Sequence, residues 1–214
     1  MQRLRIRLSR GDELKFISHL DIMRLWERAL RRARIPLAYS EGFSPHPRIS
    51  LAAPLPVGVT SEAELMDVFM ARWVSPHWFT AMISEQLPPG IKVLEVYPIT
   101  PTMPSLQSMV RYAEYRVEVA TEKGPEEVES VISALLSKEQ LPWHHQRDTG
   151  QRDYDLRALI DDIWLVGRDG SYLTIGMRLR CGSSGSGRAE QVTAALGLTD
   201  YPQSIHRTRL ILQA

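Results

Sequence analysis

At the start of the chain apolar residues alternate with arginine. Leu4, Ile6 and Leu8 fall on one side, and Arg3, Arg5 and Arg7 on the other. A period of two over residues 2–8 predicts a half-buried strand. The period then changes. Ile22, Leu25, Trp26, Ala29, Leu30 and Ala33 recur at helical spacing, which predicts an amphipathic helix running to about Arg34. Ser18 suits its N-cap, with Asp21 three residues on as a short version of the capping box. Arg24, Arg28 and Arg31 stand at i, i+4 and i+7 and share the opposite, exposed side. Pro36 stops the helix.

Short extended pieces follow over 36–39 and 48–52, separated by a turn at 42–47. Pro54, Pro56 and Gly58 mark another turn. Residues 64–73 read as a strand. A helix starts at Ser75-Pro76, with Ser as cap and Pro at the first helical position, and ends near Leu87. Pro88-Pro89-Gly90 leads into a strand over 91–97. The proline-rich stretch 98–108 reads as a linker. The pattern then repeats, with a strand at 113–120, a helix at 125–137 and an extended stretch at 156–167. An Asp169-Gly170 hairpin turn leads to a strand at 171–180, a helix at 188–196 and a closing strand at 204–212.

The order β-α-β-β-α-β, met twice, is the split βαβ pattern. The expected fold is α+β: two tandem ferredoxin-like (βαββαβ) units with antiparallel sheets. The units are expected at 1–100 and 111–214, joined by a linker at 101–110. Helices cover one face of such a sheet, so Leu4, Ile6 and Leu8 should face them. Arg3, Arg5 and Arg7 should then line the open face, either against the second unit or against a phosphate chain.

Composition changes this picture little, but charge placement changes it more. The 214 residues are 43% hydrophobic and 24% charged, with a formal net charge of +1. The basic residues gather early, at Arg3, Arg5, Arg7, Arg10, Lys15, Arg24, Arg28, Arg31, Arg32, Arg34 and Arg48. The acids of that stretch are Asp12, Glu13, Asp21, Glu27 and Glu41. A positive first quarter on a near-neutral chain points to nucleic acid or another acidic partner. The single cysteine, Cys181, excludes an internal disulfide and a multi-thiolate metal site. No apolar run approaches the roughly 18 residues of a membrane span, and Met1-Gln2-Arg3-Leu4-Arg5 lacks a signal peptide's apolar core. The expectation is a cytoplasmic protein with no membrane partner and no metal.

His19 and His46 flank this basic segment. Two histidines on adjoining elements could act as base and acid in RNA strand cleavage; equally, each could hold a turn. Lys15, Arg24, Arg28, Arg31 and Arg48, with Arg3, Arg5 and Arg7, are candidate phosphate contacts. Phe43 could stack on a base or plug the core beneath the turn. The Gly/Ser run 182–187 lacks a Walker lysine and reads as a flexible loop. His144-His145 beside Trp143 lacks a third metal ligand and reads as a loop too. Asp161-Asp162 reads as an exposed strand face.

Residues 15–24 (Lys-Phe-Ile-Ser-His-Leu-Asp-Ile-Met-Arg), 27–33, 36–50 (containing Tyr39-Ser40-Glu41-Gly42-Phe43-Ser44-Pro45-His46-Pro47-Arg48) and 54–59 resemble the radical SAM-linked protein family. This is an uncharacterised bacterial domain fused to, or encoded beside, B12-binding radical SAM proteins. The second half matches weakly, through Asp155-Leu156-Arg157, Leu196-Gly197-Leu198 and His206-Arg207-Thr208, and Ala158 stands where the family has proline. The resemblance implies a non-catalytic companion module that binds RNA (tRNA or rRNA) or presents substrate to a radical SAM protein. The iron–sulfur cluster, S-adenosylmethionine and cobalamin would belong to that partner, since one cysteine cannot hold the cluster. The layout is also similar to RAMP/Cas6-type RNA endonucleases, although their glycine-rich loop follows the last helix and this one precedes it. A metal-independent endoribonuclease using His19 and His46, and a pure protein–protein adaptor, are the alternatives.

Overall fold

The computed structural model describes residues 1–147, 150–182, 185–198 and 201–213, with backbone alone for Gln146 and Arg147. The chain is mixed α+β and mostly antiparallel in its pairing, with five α-helices among the described residues. It divides into two compact units. Unit 1 comprises Met1–Val110 with the last three residues, and unit 2 comprises Arg111–Ile211.

In unit 1, β1 (Gln2–Arg10) leads through a turn to α1 (His19–Arg32), then β2 (Ile49–Leu51), β3 (Thr60–Met70), α2 (Pro76–Ser84), β4 (Ile91–Ile99) and the short α3 (Leu106–Met109). β1 pairs antiparallel with β3 and β4, and β2 with β3, giving the order β4-β1-β3-β2. The period-two pattern of β1 is decisive here. Leu4, Ile6 and Leu8 form one core cluster with Ile22, Trp26, Ala29 and Leu30 of α1, Met66 and Val68 of β3, and Phe79 and Ile83 of α2. Trp26 is wholly buried; Trp26→Ala should destabilise unit 1 by about 3–5 kcal/mol, measured as a lowered urea midpoint.

The ends of α1 follow local chemistry. The Ser18 hydroxyl accepts from the Asp21 N–H at 3.2 Å and donates to the Asp21 carboxylate at 2.7 Å. That hydroxyl first, then Arg24, holds the Asp21 carboxyl below its usual range. A depressed pKa contributes stability above the unfolded value, and that contribution is lost as pH falls through the folded one. Losing the Ser18 cap in Ser18→Ala should cost about 0.5–2 kcal/mol, and the difference between the two proteins should narrow as pH drops below about 4. Unfolding curves at several pH values check both parts.

At the other end the Arg34 N–H donates to Arg31 O (3.0 Å) and the Ile35 N–H to Leu30 O (3.1 Å). These are the paired bonds of a Schellman turn. Arg34 takes the left-handed position of that turn, at φ 53°, and is the non-glycine residue with positive φ among those described.

In unit 2, β5 (Val110–Ala120) is followed by α4 (Pro125–Leu136), β6 (Pro142–Arg147), β7 (Gly150–Asp155), β8 (Ile160–Asp169), β9 (Tyr172–Gly182), β10 (Gly185–Ser186), α5 (Ala189–Ala195) and β11 (Ser204–Leu212). β9 pairs antiparallel with β5, β8 and β10, and β11 borders β5. The core lies among Val117, Ile132, Ile163, Ile175 and Val192, all nearly free of solvent exposure.

Three stretches differ from the sequence reading. The proline-rich linker stretch holds the end of β4 and most of α3, with Leu106 fully buried. His144-His145 is not a loop. It lies in the β6–β7 ladder, where His144 faces Asp153, Nδ1 to Oδ1 at 2.8 Å. That contact first, then Gln151, holds the Asp153 carboxyl below its usual range. In the Gly/Ser run, Gly182, Gly185 and Ser186 are strand residues, Gly185 pairing with Gly182, while Ser183 and Ser184 lie outside the described residues.

Candidate nucleic-acid interface

The exposed side of α1 is one wall of a groove of about 540 Å³. Arg24, Arg28 and Arg32 line it from the helix, with Asp21 and Leu25, and Glu85 to Pro88 form the opposite wall. The i, i+4, i+8 spacing stacks the three guanidinium groups along one line. Their partners differ. Arg24 meets Asp21 at 3.2 Å with both side chains more than half exposed, so the pair contributes little and competes weakly with a ligand. Arg32 donates to the Gln86 carbonyl at 2.7 Å and so ties the two walls together. Arg28 and Arg31 are exposed, and no hydrogen bond or ion pair of either side chain is found among the described residues. Two guanidinium groups one turn apart, both with their hydrogen-bond donors open, are suited to phosphate oxygens.

The turn before α1 is braced from below. Arg10 is buried, and its guanidinium donates to the carbonyls of Leu14 (2.6 and 3.0 Å) and Ile17. The Lys15 carbonyl accepts from Gly58 N–H at 2.7 Å. Lys15 itself pairs with Asp12 at 3.0 Å and lies 5.4 Å from the Phe16 ring centre. Arg10 is therefore a structural clamp, a role its place in a basic run conceals.

Arg3 and Arg5 do not line an open phosphate-binding face. Both are buried, at 2% and 4% exposure, against an Asp67 with none. Arg3 donates from Nε and Nη2 to Asp67 Oδ2 at 3.0 and 2.6 Å, and also to the carbonyls of Met103 and Pro104. Arg5 donates to Oδ1 at 2.8 Å and Oδ2 at 3.0 Å. Burial pulls against the charge on Arg5, and the Asp67 carboxylate more than offsets it, raising the Arg5 pKa above its ordinary value. Arg7 stays exposed, 3.4 Å from Glu95.

His19 and His46 are not brought together. His19 opens α1, just beyond the end of β1 at Arg10. His46 precedes β2 in a hairpin where Tyr39 bridges Pro47 and Ser40 N–H donates to His46 O at 2.9 Å. That hairpin springs from the level of Phe69, which pairs with Arg3 near the start of β1. Gln2 and Arg10 are eight residues apart, roughly 25 Å along an extended strand, and the segments that carry the two histidines leave β1 at opposite ends. Acid–base transfer needs hydrogen-bond reach or one water, so a single chain does not assemble this dyad. Phe43 rides the hairpin tip beside Gly42, whose φ of +117° makes the turn, and its side chain is fully exposed. It is not a core plug. Arg48, at the hairpin base, stacks 4.2 Å over the Phe69 ring and approaches the Met1 sulfur at 3.2 Å.

Sequence reasoning missed Asp67, although a carboxylate inside the apolar run Leu65-Met66-Asp67-Val68-Phe69 marks a strand position that needs a buried cation. It also missed Trp73, left 74% exposed after β3. No group of three or more residues suited to a metal ion occurs among the described residues, and no described helix is long and apolar enough to cross a membrane.

The fold and this surface define an α+β protein of two antiparallel units with a basic helical groove on the first. The chain belongs to the bacterial family DUF2344, "Uncharacterized protein conserved in bacteria", whose pattern matches residues 3–189. No curated protein matches the sequence. Among solved structures it is similar to a chain of a Cbf5-Nop10-Gar1 complex (TM-score 0.56, 10% identity, 97% of this chain and 48% of that one). It is also similar to a chain of an H/ACA RNP bound to a substrate RNA containing 2'-deoxyuridine (TM-score 0.51, 9% identity, 97% and 47%). At such identities the likeness is one of fold, and this chain spans about half the length of those it matches.

Proposed function

We propose that this chain is an RNA-binding module that holds RNA for a radical SAM enzyme and performs no chemistry of its own. The observation that carries the reading is the α1 stripe, where Arg28 lines the groove, Arg31 stands exposed one turn on, and neither guanidinium makes a hydrogen bond or ion pair among the described residues. Phosphate contacts of this type supply sequence-independent affinity. The likeness to a chain of an RNA-bound H/ACA particle supports RNA as the polyanion. The strand orders β4-β1-β3-β2 and β11-β5-β9-β8 support reading each unit as a ferredoxin-like βαββαβ variant, with the β6–β7 hairpin inserted in the second.

The radical SAM partner rests on the motif resemblance over residues 15–59. In that reading the iron–sulfur cluster, S-adenosylmethionine and cobalamin reside on the partner. The test is crosslinking and pull-down of the tagged chain from bacterial cells, read out for RNA and for protein. Recovery of a specific RNA together with a radical SAM protein is the expected result. Recovery of the protein alone, unchanged after nuclease treatment, would make the chain an adaptor and end the RNA reading.

A further inference from the structure

Two loops leave unit 1 at the end of the sheet where β1 begins. Ala71 N–H donates to Pro36 O and Ala38 N–H to Phe69 O, both at 2.8 Å. The stretch after α1 therefore runs beside the stretch that closes β3. The first carries Arg34 and the hairpin tipped by Phe43; the second carries Arg72 and Trp73. Register puts Arg34, Arg72, Trp73 and the base of the Phe43 hairpin at that end of the unit.

Phe43 is fully exposed and Trp73 is 74% exposed. These are the side chain types whose burial stabilises a fold most, yet both are held outward on braced backbone. The Phe43 hairpin is closed by the Tyr39–Pro47 bridge. The Gln2 carboxamide donates to Val74 O at 3.0 Å and accepts from Val74 N–H at 2.9 Å, pinning the residue next to Trp73.

A second, independent observation lies in Arg34. Its left-handed backbone (φ 53°) is the Schellman position that glycine occupies without strain, and an L side chain there costs about 1 kcal/mol. Strain of this kind clusters at functional sites. Arg34 and Arg72 are exposed, and neither guanidinium has a side-chain or backbone partner among the described residues. Glu41 is the acid on the hairpin tip.

Aromatic faces flanked by uncommitted guanidinium groups match one chemistry well. Unpaired bases stack on the rings while their phosphates take the cations. A duplex hides its base faces and could use only the arginines. We propose that this end of unit 1 is a stacking platform for unpaired RNA, formed by Phe43 and Trp73 with Arg34 and Arg72. The inference rests on the RNA-binding reading above and narrows it to single-stranded or looped RNA.

Fluorescence anisotropy with a labelled unstructured RNA, and with a duplex of equal phosphate number, tests it. Wild type should bind the unstructured strand more tightly. Phe43→Ala and Trp73→Ala should each weaken that binding roughly ten-fold, as expected for one lost stack, and leave duplex binding unchanged. Trp73→Phe should keep most of the affinity. Arg34→Gly should raise the melting temperature and still lower affinity several-fold. If the aromatic variants bind like wild type while binding stays salt-dependent, the platform is wrong and the RNA reading stands. If wild type binds neither RNA, both fall. A co-purified protein lost from nuclease-treated Phe43→Ala, with RNA affinity unchanged, would make this edge a protein contact and overturn the proposal.

Discussion

Asp67→Asn is expected to destabilise unit 1 by about 3–5 kcal/mol, the range for removing one partner of a buried ion pair. A folded domain has only about 5–15 kcal/mol in total, so this is among the most damaging isosteric changes available. The cause is specific. Asp67 is the carboxylate beneath both Arg3 and Arg5, and none of the three is exposed to solvent by more than a few per cent. An amide there strands two buried cations and turns an acceptor into a donor facing donors. Arg5→Met should cost much less, because it leaves a neutral Arg3–Asp67 pair still bonded to the Met103 and Pro104 carbonyls. Urea unfolding followed by tryptophan fluorescence measures the contrast, since Trp26, Trp73 and Trp78 all lie in unit 1. Equal losses in the two variants would refute the charge argument and leave only a packing effect.

Replacing Arg28 and Arg31 together by glutamine should have the largest effect on binding. Each phosphate contact on a single strand contributes about 0.7 to the slope of log affinity against log salt. Two lost contacts should lower that slope by about 1.4, and at about 0.1 M salt should weaken RNA binding roughly 25-fold. Glutamine and arginine have similar helix propensities, and both sites are exposed, so α1 should keep its stability. Titrations at several salt concentrations, with circular dichroism as the folding control, measure both quantities. A slope that does not move would remove α1 from the interface. The same substitutions on Arg3 or Arg5 would be uninformative about RNA, since those variants disturb the core.

How much of this was legible beforehand divides by range of interaction. The strand of β1, the cap at Ser18, the helix stop before Pro36 and the Ser75-Pro76 helix start are all set by neighbours within a few residues. Each appears where the pattern placed it. Arg3 and Arg5 depart from the expected open face, unlike Arg7, because alternation reports that two faces differ, not that the second face meets water along its whole length. Asp67 lies more than 60 residues away in sequence, and its register against β1 is a property of the sheet. His19 and His46 were close in sequence, but a 14-residue helix and the direction of β2 carry them apart.

By itself the order of side chains determined periodicity, caps, turns, the identity of the apolar faces and the presence of a basic stripe on α1, since all of these depend on backbone steps of one to four residues. Only the folded chain decided which charges remain available. That depends on which carboxylates and carbonyls arrive from distant strands, and a guanidinium meeting a buried aspartate at 2.6 Å is spent, whereas one facing open solvent is free to meet a phosphate.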